Sequence, residues 1–127
     1  MLIDTVAWVR TEGGRVLCAR PRGKDVFYVP GGKREGAESD LETLVREIRE
    51  ELDVALDPAT AAHTGTYEAP AGDALVRMAC YTADYRGELA PSSEIEEIAW
   101  FSYAHRELVP PVDRLLFDDL RDAGLLA

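Results

Sequence analysis

Cysteine and histidine, the residues that build most soft-metal sites and disulfide frameworks, are scarce in this sequence. Its 127 residues include two cysteines and two histidines, with no CxxC pair: Cys18, Cys80, His63 and His105. A zinc site built from thiolate and imidazole ligands therefore has too few candidates. Both cysteines lie in apolar runs typical of strands, which favours buried free thiols.

The chain also lacks long apolar runs and an excess of positive charge. No segment has the apolar length that a membrane span requires, and the N-terminus shows no secretory signal, so we expect a cytoplasmic protein. Fourteen lysines and arginines stand against 24 acidic residues, giving a formal net charge of −10. Such a surface repels long nucleic acids and anionic membranes. A small phosphorylated ligand is still compatible with it if a cation mediates the contact.

Size and turn residues indicate a single domain over residues 1–127, made of short strands and two helices. Glycine and proline clusters separate six predicted strands: 3–10, 15–20, 26–29, 63–68, 74–85 and 97–102. One helix is predicted over 39–52, and a second begins near Pro111 and ends near Gly124. In the second helix, helical spacing puts four residues on one face: Val112, Leu115, Leu116 and Leu120. This order favours an α/β (α+β) fold with a mixed sheet between helices.

The central helix has an apolar face and an acidic flank. Ser39 and Glu42 form a capping-box pattern, which predicts a helix start just after Ser39. Helical spacing places five residues on a single apolar face: Leu41, Leu44, Val45, Ile48 and Leu52. Three carboxylates stand at i, i+3 and i+4 on the other side: Glu47, Glu50 and Glu51. Like charges at this spacing destabilise a helix by roughly 0.2–0.5 kcal/mol per pair, so their crowding needs a reason.

Two explanations compete for this crowding. A solvated helix face with alternating charges is the common one. The preceding loop favours another, because Gly31 and Gly32 follow a strand and let backbone carbonyls approach whatever the carboxylates gather. Clustered oxygen ligands without nitrogen or sulfur suit a hard divalent cation such as Mg²⁺ or Mn²⁺. A bound cation would turn the mutual repulsion of the carboxylates into shared attraction.

The segment 32–54 resembles the Nudix box, whose form is G-x5-E-x7-R-E-U-x-E-E-x-G-U, where U is a bulky apolar residue. Eight residues fall at the required positions: Gly32, Glu38, Arg46, Glu47, Ile48, Glu50, Glu51 and Val54. The second glycine is replaced by Asp53. Aspartate is among the few non-glycine residues that adopt the left-handed backbone, so we expect a slightly weaker helix end and intact chemistry. The surrounding order of strands and helices also resembles the Nudix fold over nearly the full chain.

The resemblance implies a Mg²⁺-dependent hydrolase of a nucleoside diphosphate linked to another group. It implies four metal ligands, three carboxylates and one backbone carbonyl: Glu47, Glu50, Glu51 and Gly31. Arg46 would orient the carboxylates, and Glu38 would brace the loop against the helix. Hydrolysis of a pyrophosphate bond needs charge neutralised on the phosphate oxygens and a water made nucleophilic, which bound divalent ions supply.

A carboxylate must also take the proton of the attacking water. Nudix enzymes place this base either in the box, which makes Glu50 a candidate, or in a later loop. The stretch PSSEIEEIAW supplies Glu94 before an apolar strand, with Glu97 in reserve. The alternative for Glu94 is a solvated loop charge, since acidic loop residues are commonly exposed.

Substrate contacts are less specified than the metal site. Arg20, Arg22 and Lys24 form a local run of positive charge that could hold phosphates or serve only as a solubilising loop. Tyr28 could stack on a base or pack in the core, and Gly32 lies where a substrate would approach the box.

Three functions fit these observations. The first is hydrolysis of a nucleotide pyrophosphate bond, with a nucleoside triphosphate ahead of ADP-ribose and dinucleoside polyphosphates. The second is a non-catalytic Nudix-fold domain that senses a nucleotide, which loss of box carboxylates would favour. The third is a Ca²⁺-binding or acidic interaction module, which leaves the glycine loop and Arg46 unexplained. The partner expected is a small-molecule nucleotide, and a homodimer is left open.

Overall fold

The computed structural model describes all 127 residues as nine strands, two α-helices and two short 3₁₀ helices. The strands are β1 (Leu2–Trp8), β2 (Thr11–Glu12), β3 (Arg15–Pro21), β4 (Gly31–Lys33), β5 (Ala55–Leu56), β6 (Ala62–Ala71), β7 (Ala74–Thr82), β8 (Tyr85–Arg86) and β9 (Ile95–Phe101). The helices are α1 (Asp40–Leu52) and α2 (Pro111–Asp122), and the 3₁₀ helices are Pro58–Thr60 and Tyr103–Leu108. Neither α-helix is long and apolar enough to cross a membrane.

The main sheet is mixed, with the strand order β4-β1-β7-β6. Strand β1 runs parallel to β7, whereas β4 and β6 pair antiparallel with their neighbours. A second, antiparallel sheet has the order β2-β3-β9, and β5 pairs with β8. Because β4 is an edge strand, its outward polar groups can meet side chains of the neighbouring helix.

Alternation along β1 divides the interior into two cores, one on each side of the sheet. Val6 and Trp8 pack with the buried side chains of α1: Leu44, Ile48 and Leu52. Ala7 and Val9 pack on the opposite side with those of α2: Val112, Leu116, Phe117 and Leu120. The helices therefore enclose the sheets between them, which confirms the α/β (α+β) arrangement expected from the sequence.

The predicted strand over 26–29 is wrong. Within that range only Tyr28 makes a bridge, to Ala19, and the strand that joins the sheet is Gly31–Lys33. The apolar run suggested a strand, but close packing against β1 determines that the paired strand begins at Gly31. A Cβ on Gly31 would lie 2.0 Å from the carbonyl oxygen of Val6, so only glycine fits where β4 meets β1.

Two further differences concern strand β7 and helix α2. The strand expected over 74–85 ends at Thr82, and Tyr85–Arg86 forms a separate strand. Leu115 is 38% exposed, whereas Phe117 is buried, because the buried face of α2 is rotated towards Asp113 and Phe117. Cys18 and Cys80 are buried free thiols, as expected.

Candidate active site

Both ends of α1 are fixed by local hydrogen bonds. The N–H of Glu42 donates to Ser39 Oγ at 3.1 Å, and the N–H of Ser39 donates to Glu42 Oε1 at 3.0 Å, which confirms the capping box. Asp53 follows the last turn with φ 58° and ψ 34°, and its N–H donates to the Arg49 carbonyl at 3.2 Å. The aspartate therefore adopts the left-handed conformation that glycine has in the box pattern.

Glu38 and Arg46 form a two-pronged ion pair that joins the loop to the helix. Arg46 Nε donates to Glu38 Oε2 and Nη2 donates to Glu38 Oε1, both at 2.8 Å. The N–H of Glu35 also donates to Glu38 at 2.8 Å. The hydrogen bonds from Arg46 lower the pKa of Glu38 to about 2, with the Glu35 N–H adding to the effect. The pair therefore stays charged, and a bidentate geometry of this kind holds Arg46 in one orientation.

Arg46 in turn orients Glu47, whose carboxylate lies over Gly32. Arg46 Nη1 donates to Glu47 Oε1 at 2.9 Å. A Cβ on Gly32 would lie 2.5 Å from Glu47 Cδ, so the missing side chain provides the space that the carboxylate occupies. Burial raises the pKa of Glu47, and Arg46 opposes the rise. A glycine at position 32, in the edge strand β4, is thus required for the Glu47 carboxylate to come this close to the backbone.

Glu51 is the carboxylate of α1 with the most unfavourable surroundings. Its Oε1 accepts one hydrogen bond, from the N–H of Gly31 at 3.0 Å. Burial raises the pKa of Glu51 to about 8, and the charges of its acidic neighbours add to the rise: Glu47, Glu50 and Glu94. A carboxylate in this position gains most from a cation.

The donor set fits a hard divalent cation. Glu47 and Glu51 lie beside the glycines of β4, and the side chain of Glu50, 54% exposed, has Arg46 at 3.7 Å. As the side chains stand, no three acidic, histidine or cysteine residues converge tightly enough to form a metal cage. The oxygen-only chemistry, the position of Glu47 over Gly32 and the half-buried carboxylate of Glu51 nevertheless suit a Mg²⁺ or Mn²⁺ ion.

The loop before β9 carries Glu94 to the end of α1. The N–H of Ser92 donates to the Glu51 carbonyl at 3.0 Å, and the N–H of Arg22 donates to the Glu94 carbonyl at 2.7 Å. Glu94 is exposed in a turn, as expected, and its charge acts on Glu51. Glu97 instead accepts from Arg20 Nε at 2.9 Å. Of the two candidates for the base that follow the box, Glu94 is the one whose charge acts on a carboxylate of α1.

A cavity of about 510 Å³ opens beside these groups. Its wall includes Gly31, Gly32, Tyr28 and Glu51 together with mainly apolar side chains. Tyr28 and Gly32 therefore lie where a bound ligand would touch them.

Arg20 and Arg22, predicted as substrate contacts, lie outside the wall of this cavity. The guanidinium of Arg20 is bonded to Glu97 and to the Lys24 carbonyl, and that of Arg22 donates to the Ser93 carbonyl at 3.4 Å. Their positive charge is thus partly engaged by β9 and the loop before it.

Sequence inspection missed Asp113 and Lys33 and left Lys24 among the phosphate candidates without distinguishing it from its neighbours. Asp113 is 3% exposed, lines the cavity, and accepts a hydrogen bond from the N–H of Val29 at 2.8 Å. An acid in the first turn of a helix is normally explained by the helix dipole, which hid this role. Lys24 and Lys33 are the only lysines of the chain, and both line the cavity without a carboxylate partner.

The chain is similar in sequence to known proteins. A family model described as NUDIX domain matches residues 2–119. An RNA pyrophosphohydrolase from Halorhodospira halophila is 47% identical over 57 residues, which is 45% of this chain and 30% of that protein. The chain therefore spans less than a third of that relative in the matched region.

Solved structures extend the likeness over nearly the whole chain. The solution structure of the E. coli ORF135 protein is 26% identical, with 96% of this chain and 92% of that chain covered and a TM-score of 0.76. The crystal structure of a MutT protein from Methanosarcina mazei Go1 is 22% identical, covers 97% and 95%, and has a TM-score of 0.78, a likeness in fold. Because the family model matches most of its length, the chain belongs to the NUDIX family.

Proposed function

We propose that this protein hydrolyses a pyrophosphate bond in a nucleoside diphosphate linked to another group, with a nucleoside triphosphate as the first candidate. The observation that carries the proposal is the position of Glu51. Its half-buried carboxylate has one N–H partner and three like-charged neighbours beside a cavity large enough for a nucleotide. Such a costly arrangement is typical of a site that binds a cation and a phosphorylated ligand.

Four groups of this chain would hold Mg²⁺, or Mn²⁺ in its place: the carboxylates of Glu47, Glu50 and Glu51 and the carbonyl of Gly31. When bound, such an ion neutralises charge on the phosphate oxygens and makes a water more nucleophilic. Arg46, held by Glu38, keeps Glu47 in place over Gly32. Pre-set orientation of this kind lowers the entropy lost when ligand binds.

In the hydrolytic step, Glu94 accepts a proton from the attacking water. The water oxygen forms a new bond to one phosphorus of the pyrophosphate, and the bond from that phosphorus to the bridging oxygen breaks. The bridging oxygen leaves with the other phosphate. The exposed side chain of Glu94, carried to the end of α1 by the loop before β9, suits a base that must reach solvent water.

The cavity supports a nucleoside with its phosphates directed towards α1. Its wall is mainly apolar, and Tyr28 supplies an aromatic surface for a base. Lys24 and Lys33 add positive charge without carboxylate partners in a chain whose net charge is −10. The matched RNA pyrophosphohydrolase acts, by its name, on pyrophosphate groups of RNA, and ADP-ribose and dinucleoside polyphosphates are further candidates.

Incubation of the purified protein with Mg²⁺ and a panel of nucleotides tests the proposal. The panel contains nucleoside triphosphates, ADP-ribose, dinucleoside polyphosphates and a short 5′-triphosphorylated RNA, and the released products are identified. We expect at least one member to be cleaved at a pyrophosphate bond, with release of a nucleotide together with pyrophosphate, phosphate or a phosphorylated second product, and we expect a chelator to abolish the cleavage. Nucleotide binding without any released product would overturn hydrolysis and favour a nucleotide-sensing domain. The presence of every box carboxylate argues against that second function.

A further inference from the structure

Side chains from both helices hold the three residues that precede and begin β4, here called the 29–31 segment. The N–H of Val29 donates to Asp113 Oδ2 at 2.8 Å, and the N–H of Gly31 donates to Glu51 Oε1 at 3.0 Å. Pro30, between them, has no N–H. Both N–H groups of the 29–31 segment therefore donate to carboxylates, one from each side of the sheet.

The other side of the 29–31 segment lies against β1. The N–H of Trp8 donates to the Pro30 carbonyl at 2.8 Å. Gly31 lies so close to Val6 that a Cβ would be 2.0 Å from the Val6 carbonyl oxygen. The ring of Pro30 also restricts its φ angle. The segment thus has little freedom, and a shift at Val29 would be passed to Gly31.

The burial of Asp113 needs an explanation that its place in α2 does not supply. A carboxylate removed from water is costly unless hydrogen bonds compensate it. Its surroundings are apolar, and the hydrogen bond to Val29 joins residues 84 positions apart. An exposed acid in the first turn would stabilise the helix without this cost. The bond to the 29–31 segment is therefore what the buried position provides.

We propose that Asp113 is a positioning residue for the metal site, acting through the 29–31 segment. By accepting the Val29 N–H, it holds Gly31 where the carbonyl of Gly31 and the carboxylate of Glu51 can share one cation. The inference rests on the proposed function, because it requires a divalent cation at α1. It assigns to α2 a part in metal binding although α2 contributes no ligand.

The test measures Mn²⁺ affinity without nucleotide, by titration calorimetry or water-proton relaxation. Asp113→Ala removes the acceptor, and Asp113→Asn removes the charge but keeps an oxygen that can accept from Val29. We expect Asp113→Ala to weaken Mn²⁺ binding about tenfold, at the lower end of effects of groups that orient metal ligands. Asp113→Asn should remain within about threefold of the unmodified protein, because it keeps the acceptor that positions the segment.

Asp118→Ala is the matched control. Asp118 lies on the same helix and pairs with Arg106 and Tyr103, away from the 29–31 segment. Asp118→Ala makes the same substitution as Asp113→Ala on the same helix and should leave Mn²⁺ affinity unchanged. Equal affinity in Asp113→Ala and the control, with a raised KM for nucleotide, would make Asp113 a ligand contact and overturn the inference. Equal weakening in Asp113→Ala and Asp113→Asn would overturn it too, since charge would then be responsible.

Amide hydrogen exchange of the unmodified protein supplies a measurement that holds even if Asp113→Ala fails to fold. The Val29 N–H should exchange as slowly as the amides that join β1 to β4, because it donates to a buried acceptor. Exchange at the rate of an open loop would overturn the positioning role. Failure of the unmodified protein to bind Mn²⁺ at all would instead overturn the proposed metal site, and with it this inference.

Discussion

The two carboxylates that hold the 29–31 segment have the same hydrogen-bond arrangement and opposite electrostatic surroundings. Glu51 lies in the last turn of α1, where the helix dipole disfavours an anion; burial is the main cause that raises its pKa, and the charges of three further carboxylates add to the rise. Asp113 lies in the first turn of α2, where the dipole favours an anion, and burial is the main cause that raises its pKa, to about 7. Burial alone therefore does not distinguish a ligand from an anchor.

The difference between the surroundings of Glu51 and Asp113 indicates which of the two carboxylates would be stabilised most by a cation. At Glu51 burial, like charges and the helix dipole all oppose ionisation, and a divalent cation would reverse the balance. At Asp113 burial raises the pKa, the hydrogen bond from Val29 opposes the rise, and no like-charged neighbour contributes. Glu51 thus has the surroundings of a metal ligand, and Asp113 those of a structural anchor.

Replacing Glu51 should produce the largest effect. Glu51→Gln keeps the shape and removes the charge that a cation needs, so turnover should fall at least about a hundredfold while the protein stays folded. Steady-state kinetics with Mg²⁺ measures the fall, and circular dichroism checks the fold. Glu68→Gln, an exposed pair partner of Arg77 far from α1 in sequence, is the control. Near-normal turnover in Glu51→Gln would contradict the metal assignment.

Replacing Glu94 tests whether this residue acts as the general base or as a metal ligand. Glu94→Gln should lower turnover at least about tenfold, within the usual contribution of a general base, while Mn²⁺ affinity stays within about threefold. A fall in turnover of less than about threefold would remove Glu94 from the catalytic residues.

Adding a side chain at Gly32 should weaken metal binding at the site that contains Glu51, with an effect of intermediate size. In Gly32→Ala the new Cβ would lie 2.5 Å from Glu47 Cδ and displace that carboxylate. We expect Mn²⁺ affinity to fall about tenfold, as when a group that orients a ligand is lost. Gly65→Ala, at another strand glycine without a left-handed backbone, is the matched control. Unchanged Mn²⁺ affinity in Gly32→Ala would show that Glu47 is not needed for binding.

The smallest effect is expected from titration of Asp113. Its pKa is about 7 in the folded protein and about 3.9 in an unfolded chain, so the folded state binds its proton more tightly. The resulting stabilisation is complete below about pH 4 and is lost as pH rises to about 7. Asp113→Asn does not titrate, so the melting temperature of the unmodified protein should fall by at least about 3 °C relative to the variant over this range. Parallel melting curves at pH 4.5, 6 and 7.5 would contradict the raised pKa.

The site on α1 could be predicted because its determinants are close together in the sequence. The capping box joins Ser39 to Glu42, and Asp53 takes the left-handed backbone that its residue type tolerates. The spacing of Glu47, Glu50 and Glu51 follows from the pitch of the helix. Local hydrogen bonds and helix geometry therefore suffice for this part of the molecule.

The sequence did not predict features that depend on contacts between distant segments of the chain. The apolar run at 26–29 suggested a strand, yet β4 begins at Gly31 because only glycine can approach β1 so closely. For Arg20, phosphate binding and a solubilising loop were both open, and the sequence did not indicate that β9 places Glu97 beside its guanidinium, 77 positions along the chain. Neither outcome has a local signal, since each depends on which strands become neighbours.

The sequence by itself determined the identity of the family, the extent of α1 and the order of its carboxylates, because these depend on residue type and helical spacing over about two dozen positions. Only the tertiary structure decided that burial and the charge of Glu94 act on Glu51, and that Asp113 is buried against Val29. Such properties depend on distances through space, which the packing of two helices on opposite sides of one sheet establishes. The sequence therefore determines which carboxylates are present and how they are spaced along the helix, whereas the fold determines the environment of each one.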